Sequence, residues 1–209
     1  MSTHVRAACA DLLSPIEAAM TLVWPSREYL ASYVAALERG WSPNNLRQQQ
    51  AAEELTEIAT DADAFLAKLV ERDVTGRQIV LPDGTSVPKL PGYRRWMWDG
   101  EFCGSIALRW QPGTNALPPY CLGHIGYAVV PWKQRRGYAT QALRDLLRDV
   151  QADGLHYVEI TTQPDNVASR RVIERNGGVL VEEFTKLPAY GGGAELRYRI
   201  DIDQADAPA

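Results

Sequence analysis

The stretch Gln134-Arg135-Arg136-Gly137-Tyr138-Ala139-Thr140 decides how this chain is read. It follows an apolar segment, residues 124–130, and opens an amphipathic one, residues 140–150. A strand that ends in a short basic turn with a glycine and runs straight into a helix makes an anion site. The turn and the first helical turn leave several backbone N–H groups without internal partners, aimed at one point, and the helix dipole adds partial positive charge there. Gly137 lets a ligand approach the backbone closely, and small Ala139 does much the same two residues later. The outline is a diphosphate cradle, with Lys133, Arg135 and Arg136 as cations in and beside it. It is neither a P-loop nor a dinucleotide fingerprint, since G-x-x-x-x-G-K-[ST] and G-x-G-x-x-G are both missing. The plainer reading is a surface loop whose arginines are solvated, and the turn alone leaves both readings open.

Outward from the turn, the chain alternates strand and helix. Ala139, Ala142, Leu143, Leu146, Leu147 and Val150 form one apolar helical stripe that Gly154 closes. Residues 156–161 read as a strand, Asp165 or Asn166 caps a short helix ending at Asn176-Gly177-Gly178, and residues 179–184 and 195–200 read as strands. Upstream, residues 93–98 and 102–110 bracket Asp99-Gly100, a hairpin signal. Residues 78–81 and 86–90 flank the turn chemistry of Pro82-Asp83-Gly84-Thr85. The first part of the chain reads as helical. Tyr29, Leu30, Tyr33, Val34 and Leu37 share a face between a Ser26 cap and Gly40, a second helix starts near Asn45, and a third follows Asp61 with Phe65, Leu66, Leu69 and Val70 inward. The expectation is an α/β chain with a mixed sheet. No Pro/Gly/Ser linker isolates a second domain, so residues 1–209 are read as one. Within it, 1–92 form a mostly helical region, 93–203 the core, and 204–209 a frayed tail.

Bulk properties bound the function. A chain of 209 residues, 45% hydrophobic and 23% charged, can bury a real core. Its net charge of -4 argues against general nucleic-acid binding, which needs a basic face. Cys9, Cys103 and Cys121 are odd in number and widely spaced, which disfavours a disulfide framework or a zinc site and favours a reducing, cytoplasmic compartment. Residues 1–13 carry no continuous apolar run, and no stretch approaches the ~18–20 apolar residues of a membrane span. No metal, membrane or nucleic-acid partner is expected, and a homodimer is left open.

The second constellation is Asp165-Asn166-Val167-Ala168-Ser169-Arg170-Arg171-Val172-Ile173-Glu174-Arg175-Asn176-Gly177-Gly178. Physically it is a capped helix with Asn166 and Ser169 one turn apart. Together with Gly123-His124-Ile125-Gly126-Tyr127 and the basic turn, in this order and spacing, it resembles the GNAT superfamily of acyl-CoA-dependent N-acyltransferases. The similarity is greatest to the branch containing the ribosomal-protein N-terminal acetyltransferases. The resemblance covers somewhat more than half the chain. It implies a mixed, mostly antiparallel central sheet, splayed after its fourth strand, with helices on both faces and acetyl-CoA in the split. The turn residues Gln134, Arg135, Arg136, Gly137, Tyr138, Ala139 and Thr140 would hold the pyrophosphate. Ala128, Val129 and Val130 would pair with the pantetheine amides as an added strand does, and one of their amides would polarise the thioester carbonyl. Asn166 and Ser169 would line the far wall near the sulfur, and Lys133, Arg170 or Arg171 could meet the 3′-phosphate. The 1–92 region would add the first strand and the helices of the acceptor pocket.

Acyl transfer to an amine needs that amine neutral and a proton delivered to the departing thiolate. Many members carry a Glu five residues before the motif Asn, where this chain has Thr161. The branch it resembles often has Glu where this chain has His124, an imidazole with an ordinary pKa near ~6.5. His124 and, in reserve, Glu159 are the base candidates. The usual acid Tyr is Ile173 here, which leaves Ser169, Tyr198 and Tyr190. The aromatics Tyr93, Trp96, Trp98, Trp110 and Trp132 could stack a planar ligand, though on strands such residues more often fill the core. The implied activity is acetyl transfer from acetyl-CoA to an amine of a small molecule or a peptide N-terminus in a ternary complex. A non-catalytic acyl-CoA sensor on the same fold is the rival reading, and an ATP or dinucleotide site a more distant one.

Overall fold

The computed structural model describes residues 19–44, 47–81, 83–186, 188 and 191–202. The readings of residues 1–13 with Cys9, of the helix start at Asn45, of Tyr190 and of the 204–209 tail lie outside the described residues. The chain runs β1 (Thr21–Val23), α1 (Arg27–Glu38), α2 (Gln50–Thr60), α3 (Ala62–Lys68), β2 (Val70–Glu71), β3 (Gln78–Val80), β4 (Ser86–Pro88), β5 (Gly92–Trp98) and β6 (Phe102–Arg109). It continues through β7 (Ile125–Val129), a single 3-10 turn (Pro131–Lys133), α4 (Tyr138–Ala152), β8 (Tyr157–Thr162), α5 (Val167–Glu174), β9 (Val179–Thr185) and β10 (Ala194–Asp201).

Local chemistry explains the helix ends. Gly40, with φ +87°, accepts the left-handed position after α1. Its N–H reaches Leu37 O at 2.9 Å and that of Trp41 reaches Ala36 O at 3.1 Å, so two final carbonyls are satisfied. Ser26 occupies the N-cap position of α1 but makes no side-chain cap bond. Asp61 does cap α3, its side chain accepting from the N–H groups of Asp63 and Ala64, which contributes about 1 kcal/mol.

One sheet has the order β1-β5-β6-β7, with β2 also on β5. A second has the order β8-β10-β9, and β3 and β4 form a separate hairpin. Every strand pair among the described residues is antiparallel. The helical 1–92 region thus also supplies strands, since Leu22 pairs with Met97 and Val70 with Tyr93. No ladder joins β7 to β8, and the sheet opens after its fourth strand. The backbones of the two strands meet at one point, where His124 N–H donates to Glu159 O at 2.7 Å.

Two cores flank the first sheet, and strand periodicity assigns residues to them. Tyr93 and Met97 of β5, with Ile106, Leu108 and Ile125, face Leu143, Leu146 and Val150 of α4; Val158, Ile160, Tyr198 and Ile200 continue this core. Trp96 and Phe102 face Leu30, Tyr33 and Leu37 of α1 and Phe65 of α3. Tyr33 stacks on Trp96 at 4.5 Å and 12°, so Tyr93 and Trp96 serve as core. Gly104 lets β6 and β7 close. Its φ is +151°, and a Cβ there would lie 2.3 Å from Ala128 O.

Candidate active site

The cleft between β7 and β8 ends at the basic turn. Gly137, with φ +81°, is the N-cap of α4, and the first helical bond runs from Gln141 N–H to Gly137 O at 3.0 Å. The N–H groups of Tyr138, Ala139 and Thr140 therefore have no acceptor within the helix. Arg135 is the only non-glycine residue with positive φ (64°) among the described residues, a conformation that costs about 1–2 kcal/mol. Such strain persists where the surroundings impose it, commonly at functional sites. A Cβ built on Gly137 meets no heavy atom within 4 Å, so the space above the turn is open, as a bound diphosphate requires.

What holds the turn in place comes from elsewhere in the chain. Asp99, at the tip of the β5–β6 hairpin, accepts from Lys133 Nζ at 2.6 Å and from Tyr138 OH at 2.6 Å. Lys133 also meets Glu101 at 2.7 Å. Burial alone would raise the Asp99 carboxyl, but the Lys133 and Tyr138 bonds outweigh it and hold its pKa at about 2. Lys133 is buried and points inward, so it is spent on the hairpin and is not available for a 3′-phosphate. On the other side, Asn176 donates to Thr140 O at 3.2 Å, tying the end of α5 to the start of α4.

The strand edge differs from expectation by one residue. Val130 N–H donates to Cys103 O at 2.9 Å, across to β6. Backbone groups alternate sides along a strand, so Ala128 and Val130 are committed to β6 while Tyr127 and Val129 turn theirs to the open cleft. Of the three positions expected to pair with a pantetheine, only Val129 turns its amide to the cleft, as Tyr127 does two residues before it.

Asn166 Oδ1 accepts from Ser169 N–H at 3.1 Å and caps α5. Ser169 Oγ lies 2.8 Å from Tyr127 OH, a bond that bridges α5 and β7. Burial pushes the Tyr127 phenol up to about 12, with the Ser169 contact offsetting part of the rise. Arg170 is tied to Tyr198 OH at 3.2 Å and to Pro164 O at 3.1 Å. Arg171 stands exposed.

Three of the four catalytic candidates are committed elsewhere. His124 is fully buried. Its Nδ1 accepts from Glu159 N–H at 2.9 Å and its Nε2 lies 3.0 Å from Asn115 O, which makes Nε2 the protonated nitrogen of the neutral ring. Burial lowers its pKa from the ordinary 6.5. With both nitrogens engaged it has no lone pair for an incoming amine, and it pins β7 to β8 at the base of the cleft. Glu159 accepts from Arg197 at 2.9 Å and Arg199 at 2.8 Å. Burial would raise its pKa, but the Arg199 and Arg197 bonds outweigh that and lower it, which makes it a poor proton acceptor. Tyr198 is buried and donates to Glu174 at 3.2 Å. Ser169, with Tyr127 behind it, is the candidate that faces the split. Among the described residues no cluster of His, Cys, Asp and Glu is disposed to hold a metal ion.

Sequence comparison shows a GNAT acetyltransferase domain over residues 26–179. Among solved structures, RimL, a ribosomal alpha-N-protein acetyltransferase in complex with coenzyme A, is 17% identical with a TM-score of 0.62, covering 92% of this chain and 98% of that one. RimJ of Mycobacterium smegmatis, in complex with a CoA disulfide, is 20% identical with a TM-score of 0.58, covering 90% and 84%. MccE, a microcin self-immunity acetyltransferase in complex with acetyl-CoA and AMP, is 12% identical with a TM-score of 0.59, covering 87% and 92%. At these identities the likeness is one of fold. No curated protein sequence matches the chain.

Proposed function

This chain belongs to the GNAT acetyltransferase family, whose co-substrate is acetyl-CoA, and from that premise we propose that it acetylates an α-amine by direct attack in a ternary complex. The observation that carries the amine choice is the absence, among the base candidates, of a free proton acceptor: His124 and Glu159 are both engaged. An α-amine, with a pKa near ~7.8, is about one-third neutral at pH 7.5, whereas an alkylamine near ~10.4 is about 0.1% neutral. A site without a strong base therefore favours the α-amine by roughly 300-fold in reactive form.

In this reading the turn from Gln134 to Thr140 binds the diphosphate, and Tyr127 and Val129 present amides to the pantetheine and to the thioester carbonyl. Ser169 gives its proton to the departing thiolate and is resupplied by Tyr127, which is in turn reprotonated by solvent; the proton that the amine nitrogen loses on forming the amide passes to solvent water, so one proton leaves nitrogen for each one that reaches sulfur. A thiolate is a good leaving group, so a hydroxyl pair suffices. The test is thiol release with acetyl-CoA and two acceptors at pH 7.5, an alanine tetrapeptide with a free N-terminus and its N-acetylated lysine-bearing counterpart. Turnover on the first and little on the second is expected. Equal turnover on both refutes the α-amine assignment.

The engaged His124 and Glu159 also favour a second reading, a non-catalytic acyl-CoA sensor. Acetyl-CoA binding without thiol release across an amine panel would select it.

A further inference from the structure

We propose that the acceptor carries an anionic group, a carboxylate or phosphate, close to its reacting amine, and that Arg109 receives it. This rests on the acetyl-transfer reading above and names its substrate class.

The two sheets share a continuous face opposite α4. On the first sheet, strand pairing places Trp96, Arg94, Ser105, Ala107, Gly126 and Ala128 on that face, and Arg109 and His124 extend it where Arg109 N–H donates to His124 O at 2.9 Å. On the second, Glu159 and Thr161 of β8 lie beside Arg199 and Arg197 of β10. His124 joins the two, since its ring touches the Glu159 backbone. The far side of the sheet carries Tyr127, Ser169 and the α4 core; on this face α1 and α3 cover Trp96 and Ala128, and the part from Gly126 to Arg109 is left to the acceptor.

Charge on the face is unbalanced at one place. The other cations on its strands meet carboxylates: Arg94 meets Glu54, Arg197 meets Glu159 and Glu182, and Arg199 meets Glu159. Arg109 is exposed, and no carboxylate among the described residues lies within ion-pair distance of it. Its guanidinium is nonetheless placed, because a Cβ built on Gly126 would sit 3.5 Å from Arg109 Nη2. Glycine at 126 leaves the guanidinium room to lie over β7, the strand that borders the cleft. Tyr127 and Val129, whose amides face the split, are one and three residues along the same strand, about 3–10 Å at ~3.3 Å per residue. An acceptor with an anion within that distance of its amine reaches both. The guanidinium fork suits a carboxylate or a phosphate equally. A polyamine meets the opposite sign here, because Glu159 and Glu182 are already paired.

The experiment compares kcat/KM for the tetrapeptides Glu-Ala-Ala-Ala, Gln-Ala-Ala-Ala and phosphoserine-Ala-Ala-Ala, and for spermidine, with acetyl-CoA saturating. In the wild type the Glu-first peptide should exceed the Gln-first by tenfold or more. The ratio should fall to within twofold in Arg109→Gln and recover in part in Arg109→Lys. A still higher value for the phosphoserine peptide identifies phosphate as the source of the anion. A wild-type ratio near one, a ratio untouched by Arg109→Gln, or spermidine outperforming the Glu-first peptide overturns the proposal while leaving acetyl transfer standing. If acetyl-CoA binds but no probe turns over, the same ratios are read from peptide affinity for the CoA-loaded protein. Failure of acetyl-CoA itself to bind removes the acetyl-transfer reading instead.

Discussion

Replacing Asp99 by Asn isolates the strap that holds the basic turn. The Asp99 carboxylate takes protons from Lys133 and Tyr138 at 2.6 Å each, and its pKa stands at about 2. Against an ordinary value near ~3.9 this corresponds to about 2.5 kcal/mol of stability at neutral pH. Glu101 remains 2.7 Å from Lys133 in the variant, but it is largely exposed and replaces little of the loss. With a urea m-value of about 2 kcal/mol per molar, the Asp99→Asn midpoint should fall by roughly 1 M at pH 7. The pH dependence gives the sharper signature. A carboxyl whose folded pKa is depressed stabilises fully above its unfolded pKa and loses that contribution as pH falls through the folded one. The gap between wild type and variant should thus be complete at pH 7 and 5, about half by pH 3, about one-sixth at pH 2, and absent near pH 1. Urea titrations monitored by tryptophan fluorescence at these pH values measure it. A gap that is absent at pH 7, or that is the same at pH 7 and 3, refutes the strap.

Three further outcomes follow from the same geometry. Tyr127→Phe should lower kcat by about tenfold while KM for acetyl-CoA stays within twofold, since it removes the resupply of Ser169 and not the amides that bind the donor; equal changes in both constants, or none, would remove Tyr127 from proton delivery. His124→Ala leaves the Glu159 N–H and the Asn115 carbonyl without partners, a loss of about 2–4 kcal/mol. Because the folded His124 pKa is below 6.5, the unfolded chain takes up the proton first, so wild-type stability should decline as pH drops from 6.5 and part of that slope should vanish in the variant, as urea midpoints at pH 7 and 5.5 would reveal. Gly104→Ala puts a methyl 2.3 Å from Ala128 O and 2.8 Å from Val129 Cα at a φ of +151°, so its melting temperature should drop by about 6–12 °C for ~3 kcal/mol; an unchanged melt in calorimetry would show that β6 and β7 are not so closely apposed.

Local signals carried most of the fold. The α4 stripe, the Asp99-Gly100 hairpin, the Gly40 and Gly154 stops and the Asn166 cap each depend on residues within a few positions of one another, and each is found where the residue pattern places it. The short strands β1 and β2 had no such signal, because three and two residues are too few for a period of two. The basic turn was legible because it also is local. Its support was not: Asp99 reaches Lys133 across 34 residues and Tyr138 across 39, and the basic look of Lys133 conceals an inward ion pair. The roles of His124 and Glu159 turn on each other's backbone and on Arg197 and Arg199, partners that only the folded sheet brings together. The choice of Tyr127 and Val129 over Ala128 and Val130 depends on which edge of β7 pairs with β6, and a residue string does not state that. Arg109 is ordinary in sequence and becomes distinctive only beside Gly126.

The central claim, that the turn around Gly137 holds the diphosphate of acetyl-CoA, is tested most directly by calorimetric titration of acetyl-CoA into the wild type and into Gly137→Trp. Gly137 is exposed with open space above it, so the substitution costs only the left-handed strain of about 1–2 kcal/mol while its indole fills the cradle. A folded variant, judged by its circular dichroism spectrum and melt, that has lost at least 100-fold in affinity is the predicted result. Affinity within threefold of the wild type would contradict it.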